Sequence, residues 1–519
     1  MDTIIVLDFG GQYCHLITRR IRDLGVYSEI LPFDVSISKL KEHDIKGIIL
    51  SGGPNSVYEP ESPQLSNEVF EFITQERIPI LGICYGHHLI ASKIGGTIEP
   101  HNHKEYGKTE LEIIKPDLLL DQLDTNEIVW MSHGDQVKNL PDGFEVLAKT
   151  STCPIAAYGS IDKKIYGVQF HPEVVHTIKG NEILDNFIIK IAHAKKEWKL
   201  EDWISRSINE IKQKVGPDNR VILGLSGGVD SSVTAVLLHR AIGDRLHSIF
   251  VNNGLLRKFE ETQVQETFQD KLKFKNFHYI DAENLFLEKL AGIEDPEEKR
   301  KIIGHTFIEV FEKKTLELEQ EHPDIKYLAQ GTIYPDRVET AATSKTSAKI
   351  KSHHNLTLPD DMKLKIIEPL KDLYKDEVRK IGLKLGLASE LIERHPFPGP
   401  GLAVRCLGPV KKEFLRTLKD ADHILIEEIR KAGVYNDLWQ IFCVFLPIKT
   451  VGIMGDFRTY EYICAIRGVQ SRDAMTANFA KLDWDLLERI GTRIINEVKG
   501  FNRVVYDISN KPPSTIEYE

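Results

Sequence analysis

The chain has 519 residues, of which 41% are hydrophobic and 28% charged, and its formal net charge is −10. The composition excludes a disordered or fibrous protein, the length calls for roughly three domains of about 150–200 residues, and the acidic balance argues against a general nucleic-acid-binding surface. The first residues, Met1-Asp-Thr-Ile-Ile-Val-Leu-Asp8, lack the basic start of a signal peptide, and no apolar run reaches the roughly 18 residues of a membrane span, so a cytoplasmic protein with no membrane partner is expected.

In chain order, short apolar runs at Ile4–Leu7, Gly47–Leu50, Ile78–Ile83 and Ile165–Phe170 alternate with stretches of helical period. This is the pattern of an α/β domain with a largely parallel sheet, placed at residues 1–194. The charged stretch beginning at Lys195 carries no strand signal and marks the first boundary. A second α/β domain, 195–394, follows, with strands at Val221–Leu225, His247–Val251 and Tyr327–Gln330 and charged helices such as Phe259–Leu272. The cluster His395-Pro-Phe-Pro-Gly-Pro-Gly401 interrupts all periodicity. Residues 395–519 then read as a smaller α+β domain, with strands at Thr450–Met454 and Tyr462–Arg467 and a helix at Asp483–Glu497.

The six cysteines, Cys14, Cys84, Cys153, Cys406, Cys443 and Cys464, show neither C-x-x-C pairs nor zinc spacing, so no disulfide framework or structural metal is expected. Cys84 stands in Leu81-Gly-Ile-Cys-Tyr-Gly-His-His-Leu89, where a strand runs into a helix. Flanking glycines permit a tight elbow, and a thiol at a helix N-terminus is favoured as thiolate. A lone strand-end cysteine is as readily a small buried hydrophobe. Tyr166-Gly-Val-Gln-Phe-His-Pro-Glu-Val174 supplies the complement: His171 as base for a thiol, with Glu173 two residues on and on the same side of an extended chain to orient it. Gly47-Ile-Ile-Leu-Ser-Gly-Gly-Pro54 ends a third strand in paired glycines, read either as a simple turn or as N–H donors for an oxyanion.

Together these segments resemble the class I glutamine amidotransferases over residues 1–193. The resemblance implies that Cys84 attacks the side-chain amide of glutamine, His171 moves the proton, Glu173 holds His171, and the Gly53 and Tyr85 amides form the oxyanion hole. Ser132-His-Gly-Asp135 is similar to the family's substrate-proximal loop. His88 occupies the position where the family pattern has glutamine, which implies altered use of the substrate.

Arg220-Val-Ile-Leu-Gly-Leu-Ser-Gly-Gly-Val-Asp-Ser-Ser232 is a strand, a Ser/Gly turn and a helix start. Its successive amides make an anion nest, and no Walker A pattern is present. It resembles the PP-loop of the N-type ATP pyrophosphatases, which implies ATP binding by Ser226, Gly227, Gly228, Val229, Asp230, Ser231 and Ser232, with Mg2+ carried on the ATP phosphates near Asp230. Asp230 is as readily a helix N-terminal residue. Asn252, in Phe250-Val-Asn-Asn-Gly-Leu-Leu-Arg257, stands where that family carries aspartate, and Ala329-Gln-Gly-Thr-Ile-Tyr-Pro-Asp336 is similar to a further nucleotide-site segment. The polar, basic stretch Thr343–Asn355 reads as a solvated loop or as a lid that brings Lys349 or Lys351 over bound nucleotide.

Phe397-Pro-Gly-Pro-Gly-Leu402, Met454-Gly-Asp-Phe-Arg-Thr-Tyr460 and Lys511-Pro-Pro-Ser-Thr-Ile-Glu-Tyr-Glu519 resemble segments of the GMP synthases. This implies a xanthosine monophosphate (XMP) site made by Arg300, Pro400, Gly401, Gln440, Asp456, Arg503, Lys511, Ile516 and Glu517. It also implies glutamine, ATP and XMP as substrates and a homodimer through the third domain. The alternatives are another PP-loop amidotransferase such as a glutamine-dependent NAD synthetase, or a tRNA-modifying PP-loop protein; the C-terminal nonapeptide argues against the first and the missing basic surface against the second.

Overall fold

β-Branched runs set the first sheet. In the computed structural model, which describes residues 1–338, 364–471 and 476–519, β1 (Thr3–Asp8), β2 (Tyr27–Pro32), β3 (Ile45–Leu50), β4 (Ile80–Ile83), β5 (Thr97–Ile113), β6 (Asn126–Asn139), β7 (Glu145–Lys149), β8 (Ala157–Ser160) and β9 (Ile165–Val168) form one nine-stranded sheet. Its order is β2-β1-β3-β4-β9-β8-β7-β5-β6. The five strands from β2 to β9 pair in parallel, and those from β9 to β6 antiparallel. Ile4, Ile5, Val6 and Leu7 are all buried, as a parallel strand covered on both faces requires. The antiparallel arm of β5 and β6 is half exposed and was not evident from periodicity. These elements make a compact unit, Met1–Trp203.

A second unit spans Ile204–Glu519. Here β10 (Arg220–Gly224), β11 (Leu246–Asn252), β12 (Phe277–Asp281), β13 (Ile325–Ala329) and β14 (Lys365–Ile367) lie in the order β12-β11-β10-β13-β14, all parallel. The helix Val229–Ile242 buries almost every residue behind this sheet. A further sheet is built on the long antiparallel hairpin β15 (Gln440–Met454) and β16 (Phe457–Gln470), with β17 (Asn478–Phe479) and the parallel β18 (Phe501–Tyr506) on β16. The helix Trp484–Glu497 starts where expected, because the Asp483 carboxylate accepts from the amides of Asp485 and Leu486.

Both sheets of this unit share one apolar core, running from Ile222, Ile249 and Leu255 through Leu402 and Phe414 to Phe445, Ile490 and Phe501. The expected third domain, 395–519, has its own sheet within that body. At its centre Phe445 is 1% exposed and lies 4.4 Å, ring centre to ring centre, from Phe414 and 5.4 Å from Phe501. Truncation there leaves a cavity as well as losing transfer energy, so Phe445→Ala is expected to destabilise the second unit by about 3–5 kcal/mol. Urea unfolding followed by hydrogen exchange should show that unit opening early while amides of β1, β3 and β4 keep their protection.

Candidate active site

The carboxyl ends of four parallel strands meet in the first unit. The Ser51 hydroxyl, just past β3, accepts from the Phe9 amide just past β1 at 3.0 Å and ties the two ends together. Cys84 follows β4 directly. Its backbone is left-handed, at φ 52° and ψ −105°, a conformation that costs a non-glycine residue on the order of 1–3 kcal/mol. Two bonds fix it: the Cys84 amide donates to the Val168 carbonyl at 2.9 Å, and its carbonyl accepts from the His88 amide at 3.2 Å, opening the helix Tyr85–Lys93. The turn also needs Gly86, where a Cβ would stand 2.4 Å from the Leu50 carbonyl oxygen. Gly53 abuts Tyr85, a Cβ on it falling 3.3 Å from the Tyr85 ring, so the two amides named for an oxyanion hole flank the elbow.

His171 and Glu173 follow β9. The imidazole Nδ1 lies 2.7 Å from Glu173 Oε1, with both residues buried. Burial penalises a charged imidazole, but the Glu173 charge and the hydrogen bonds to Cys84 and Glu173 outweigh it and hold His171 well above the usual histidine range. The ring is further fixed by its neighbours. The His171 amide donates to Trp130 at 3.0 Å, Thr177 donates to the His171 carbonyl at 2.6 Å, and Tyr13 meets the ring edge-on at 5.2 Å. The thiol donates to the Ser132 carbonyl at 3.5 Å. The three residues named from sequence therefore stand together as a thiol, a cationic-prone imidazole and a buried carboxylate, a set suited to attack on an amide carbon followed by protonation of the leaving amine.

His88, 4% exposed, points at Gln169, with Nε2 2.6 Å from Oε1. Burial pushes its pKa down to about 4, so it is neutral near pH 7. Asp135 is held by the Ser56 hydroxyl at 2.5 Å and Tyr58 at 2.9 Å.

In the second unit the Ser/Gly turn after β10 takes the nest form. Gly227 has φ +76°, Ser226 and Ser231 hydroxyls lie 2.9 Å apart, and the Gly228 amide donates to Ser226 at 3.3 Å. The helix Val229–Ile242 begins there with no side chain on its first amides, leaving them for an anion. Asp230 pairs through Oδ2 with Lys375, a residue the sequence reading missed, while its buried Oδ1 has no hydrogen-bond partner among the described residues. A Cβ built on Gly331 would fall 3.3 Å from the Ser231 amide nitrogen and 3.4 Å from Asp230 Cβ, which brings the Gln330-Gly331-Thr332 segment to the turn. Asn252 accepts from the Gly254 amide at 3.0 Å and donates to Tyr279 at 3.1 Å and Asp281 at 3.4 Å. An aspartate there would face the Asp281 carboxylate instead. Lys349 and Lys351 lie outside the described residues.

Of the residues named for XMP, Gln440 and Glu517 are in contact at 2.7 Å, and Ile516 packs with Phe442 and Val444. Pro400 and Gly401 lie against β11's exit loop, where the Leu402 amide donates to Leu255 at 2.8 Å. Lys511 forms an antiparallel bridge with Ala477. Arg300 pairs with Glu297 on its own helix. Asp456 sits at the turn between β15 and β16, roughly 50 Å along the chain from Gln440 at about 3.3 Å per residue, and Arg503 is exposed on β18. The missed residue is Arg405: fully buried, it grips Glu517 through two nitrogens at 2.8 and 3.0 Å and stacks on Phe442 at 4.0 Å. An arginine inside the apolar run Gly401-Leu-Ala-Val-Arg-Cys-Leu407 was its only signal.

Comparison with known proteins gives three family matches: Glutamine amidotransferase class-I over residues 5–191, NAD synthase over 199–294, and GMP synthase C terminal domain over 427–518. The chain is 52% identical over 520 residues to a glutamine-hydrolysing GMP synthase of Brachyspira hyodysenteriae, covering 100% of this chain and 99% of that one. It is likewise 52% identical to those of Carboxydothermus hydrogenoformans, with 99% of each chain covered, and of Aquifex aeolicus, again with 99% of each.

The elevated His171 pKa sets a sign. With its folded value above the unfolded one of about 6.5, the pair with Glu173 adds stability that is fully present below about pH 6.5 and is lost as pH rises through the folded value. In Glu173→Gln the largest raising charge is gone, so the His171 ring resonance should titrate at lower pH by NMR. Turnover at Cys84 should fall on the order of 10²-fold or more.

Proposed function

The chain belongs to the family of glutamine-hydrolysing GMP synthases, and from that premise we propose which of its residues carry each step of the reaction. The enzyme is a carbon–nitrogen ligase that takes the amide nitrogen of glutamine, activates XMP with ATP, and forms GMP with release of AMP and pyrophosphate. The observation that carries the assignment of residues is the contact of Cys84, His171 and Glu173 at the ends of β4 and β9.

Cys84 gives its thiol proton to His171 and Sγ attacks the side-chain amide carbon, forming a carbon–sulfur bond while negative charge builds on the oxygen beside the Gly53 and Tyr85 amides. His171 gives its proton to the departing ammonia, and the carbon–nitrogen bond breaks. Water, deprotonated by His171, then cleaves the thioester to glutamate and restores the thiol. Glu173 keeps the ring oriented and its charge compensated throughout.

In the second unit, the Ser/Gly turn from Ser226 to Ser232 binds the ATP phosphates, with the uncapped amides at the start of the helix Val229–Ile242 as donors. The orphaned Oδ1 of Asp230 fits a magnesium ion brought in with ATP. Such an ion, when bound, neutralises phosphate charge and helps pyrophosphate leave. Gln440, Ile516 and Glu517, with Arg405 behind them, bind XMP beside Pro400 and Gly401; Lys511 and Arg503 pair with its phosphate, Arg300 lies at or near the site, and Lys349 or Lys351 closes over the nucleotides. The xanthine 2-oxygen takes the adenylyl group, ammonia adds at C2, and AMP leaves.

The homodimer forms through the third sheet. Ile453 and Phe457 are 76% and 79% exposed, and Trp484 80%, more apolar surface than a free monomer usually shows in one domain. Asp456 and Arg503 enter an XMP site only across that interface. No helix among the described residues is long and apolar enough to cross a membrane, in keeping with a cytoplasmic enzyme.

Incubation with XMP, ATP, magnesium and glutamine should yield GMP, AMP, pyrophosphate and glutamate in equal amounts. Appearance of ADP and phosphate would defeat the pyrophosphatase assignment. Cys84→Ala should stop the glutamine-driven reaction and spare the reaction driven by added ammonia. Light scattering should give twice the chain mass, and Phe457→Asp with Ile453→Asp should give the monomer.

A further inference from the structure

An ion pair that the chemistry above does not use stands behind the strand segment that passes Cys84. Glu105 on β5 and His133 on β6 are direct cross-strand partners. Immediately before them the ladder lapses, since residues 101–104 stand opposite the single Gly134. Within the segment Ser132–Asp135, Ser132, His133 and Asp135 keep cross-strand partners, and the pairing breaks at Gly134 between them.

Side chains take over there. His133 Nε2 lies 2.9 Å from Glu105 Oε2 and Nδ1 2.8 Å from the Asp135 carbonyl. The Asp135 carbonyl and the Glu105 carboxylate are both acceptors, so the imidazole is held from both of its ring nitrogens. Both residues are buried, at 4% and 8% exposure. Burial would push the Glu105 carboxyl up, but bonds from His133, Thr152 and Thr150 hold it at about 2; the Thr150 hydroxyl donates to Oε1 at 2.7 Å, and Thr152 donates to the same oxygen. On the other side of the segment, the Ser132 carbonyl accepts from the Cys84 thiol, and the Asp135 carboxylate accepts from Ser56 and Tyr58. After burial and the Gln169 bond, the His133 charge also bears on His88, lowering its pKa.

We propose that the Glu105–His133 ion pair is a positioning device for glutamine: it fixes the Ser132 and Asp135 carbonyls against Cys84 and its substrate where the strand ladder lapses. The proposal rests on the reading of Cys84 as the glutaminase nucleophile. Glu105 touches no reacting atom; it acts through His133 and the backbone beyond it.

The test uses the full-length protein, with GMP formation measured under glutamine and, separately, under ammonium chloride. Glu105→Gln keeps the shape and a hydrogen bond but removes the charge. It should raise KM for glutamine about tenfold, as expected for a substrate site displaced by a fraction of an ångström. It should leave kcat with glutamine within about threefold and the ammonia-driven rate unchanged. Thr150→Val, which removes the hydroxyl that donates to Glu105 and accepts from the Thr152 and Cys153 amides, should move KM in the same direction, and Thr150→Ser, which keeps that hydroxyl, should restore it. An unchanged glutamine KM in Glu105→Gln and Thr150→Val would overturn the proposal. So would a fall of both activities together with the melting temperature, which marks general damage. Because the Cys153 thiol lies in the same buried group, with Glu105, His133 and Cys153 ligand atoms all within 4.8 Å of one another, stoichiometric zinc in the purified protein that is lost in Cys153→Ser would also overturn it, by putting a metal where the ion pair is placed. Wild-type protein without glutamine hydrolysis would defeat the reading of Cys84 instead.

Discussion

The left-handed backbone of Cys84 is the constraint around which the first unit is arranged. An L-residue holds φ 52° and ψ −105° only when the surroundings over-determine it, and here β9 supplies the Val168 carbonyl, β3 the close approach to Gly86, and the helix Tyr85–Lys93 the bond to His88. Each of these neighbours also carries chemistry. The strand that fixes the Cys84 amide continues to His171 and Glu173, and the strand against which Gly86 packs continues to Gly53. Strain at one residue and assembly of the site are therefore the same set of contacts.

Buried charge is handled in the same way in both units, by pairing with an opposite charge at short range. Glu173 and His171 compensate one another behind the thiol, Glu105 and His133 do so behind the neighbouring strand, and Arg405 grips Glu517 under the C-terminal segment. An isolated charge in these positions would be prohibitive, and even a paired one contributes little net stability. What such pairs supply is a defined position: the Arg405 guanidinium, stacked on Phe442, leaves Glu517 one place to be, and with it Gln440 and the chain end from Lys511 onward. Lys299 acts alike, fully buried and bonded to the Ala403 and Cys406 carbonyls and to Glu519.

The two departures from family patterns are local accommodations rather than gaps. His88 remains neutral and spends its Nε2 on Gln169, and Asn252 gives Tyr279 and Asp281 the donor that aspartate lacks. In each case the substituted residue is engaged by protein neighbours, Gln169 for His88 and Tyr279 and Asp281 for Asn252.

The sequence by itself determined what depends on neighbours along the chain. The parallel strands of both units read as continuous apolar runs because both their faces are covered, and the elbow at Cys84, the Ser/Gly turn at 226–232 and the His171–Glu173 spacing are short motifs whose geometry is set within a few residues. The Asp483 cap announced the helix after it for the same reason. Only the tertiary structure decided what depends on residues far apart. The β5–β6 arm alternates weakly and is broken at 101–104, so its pairing with Glu105 opposite His133 follows from register alone. Lys375 reaches Asp230 across 145 positions and Arg405 reaches Glu517 across 112. Asp456, grouped with Glu517 by resemblance, is parted from it by the length of a hairpin, and Arg503 lies midway along it, opposite Ile463. Local patterns record backbone conformation and burial, whereas the partner of a buried charge is chosen by the packing of elements that no spacing along the chain encodes.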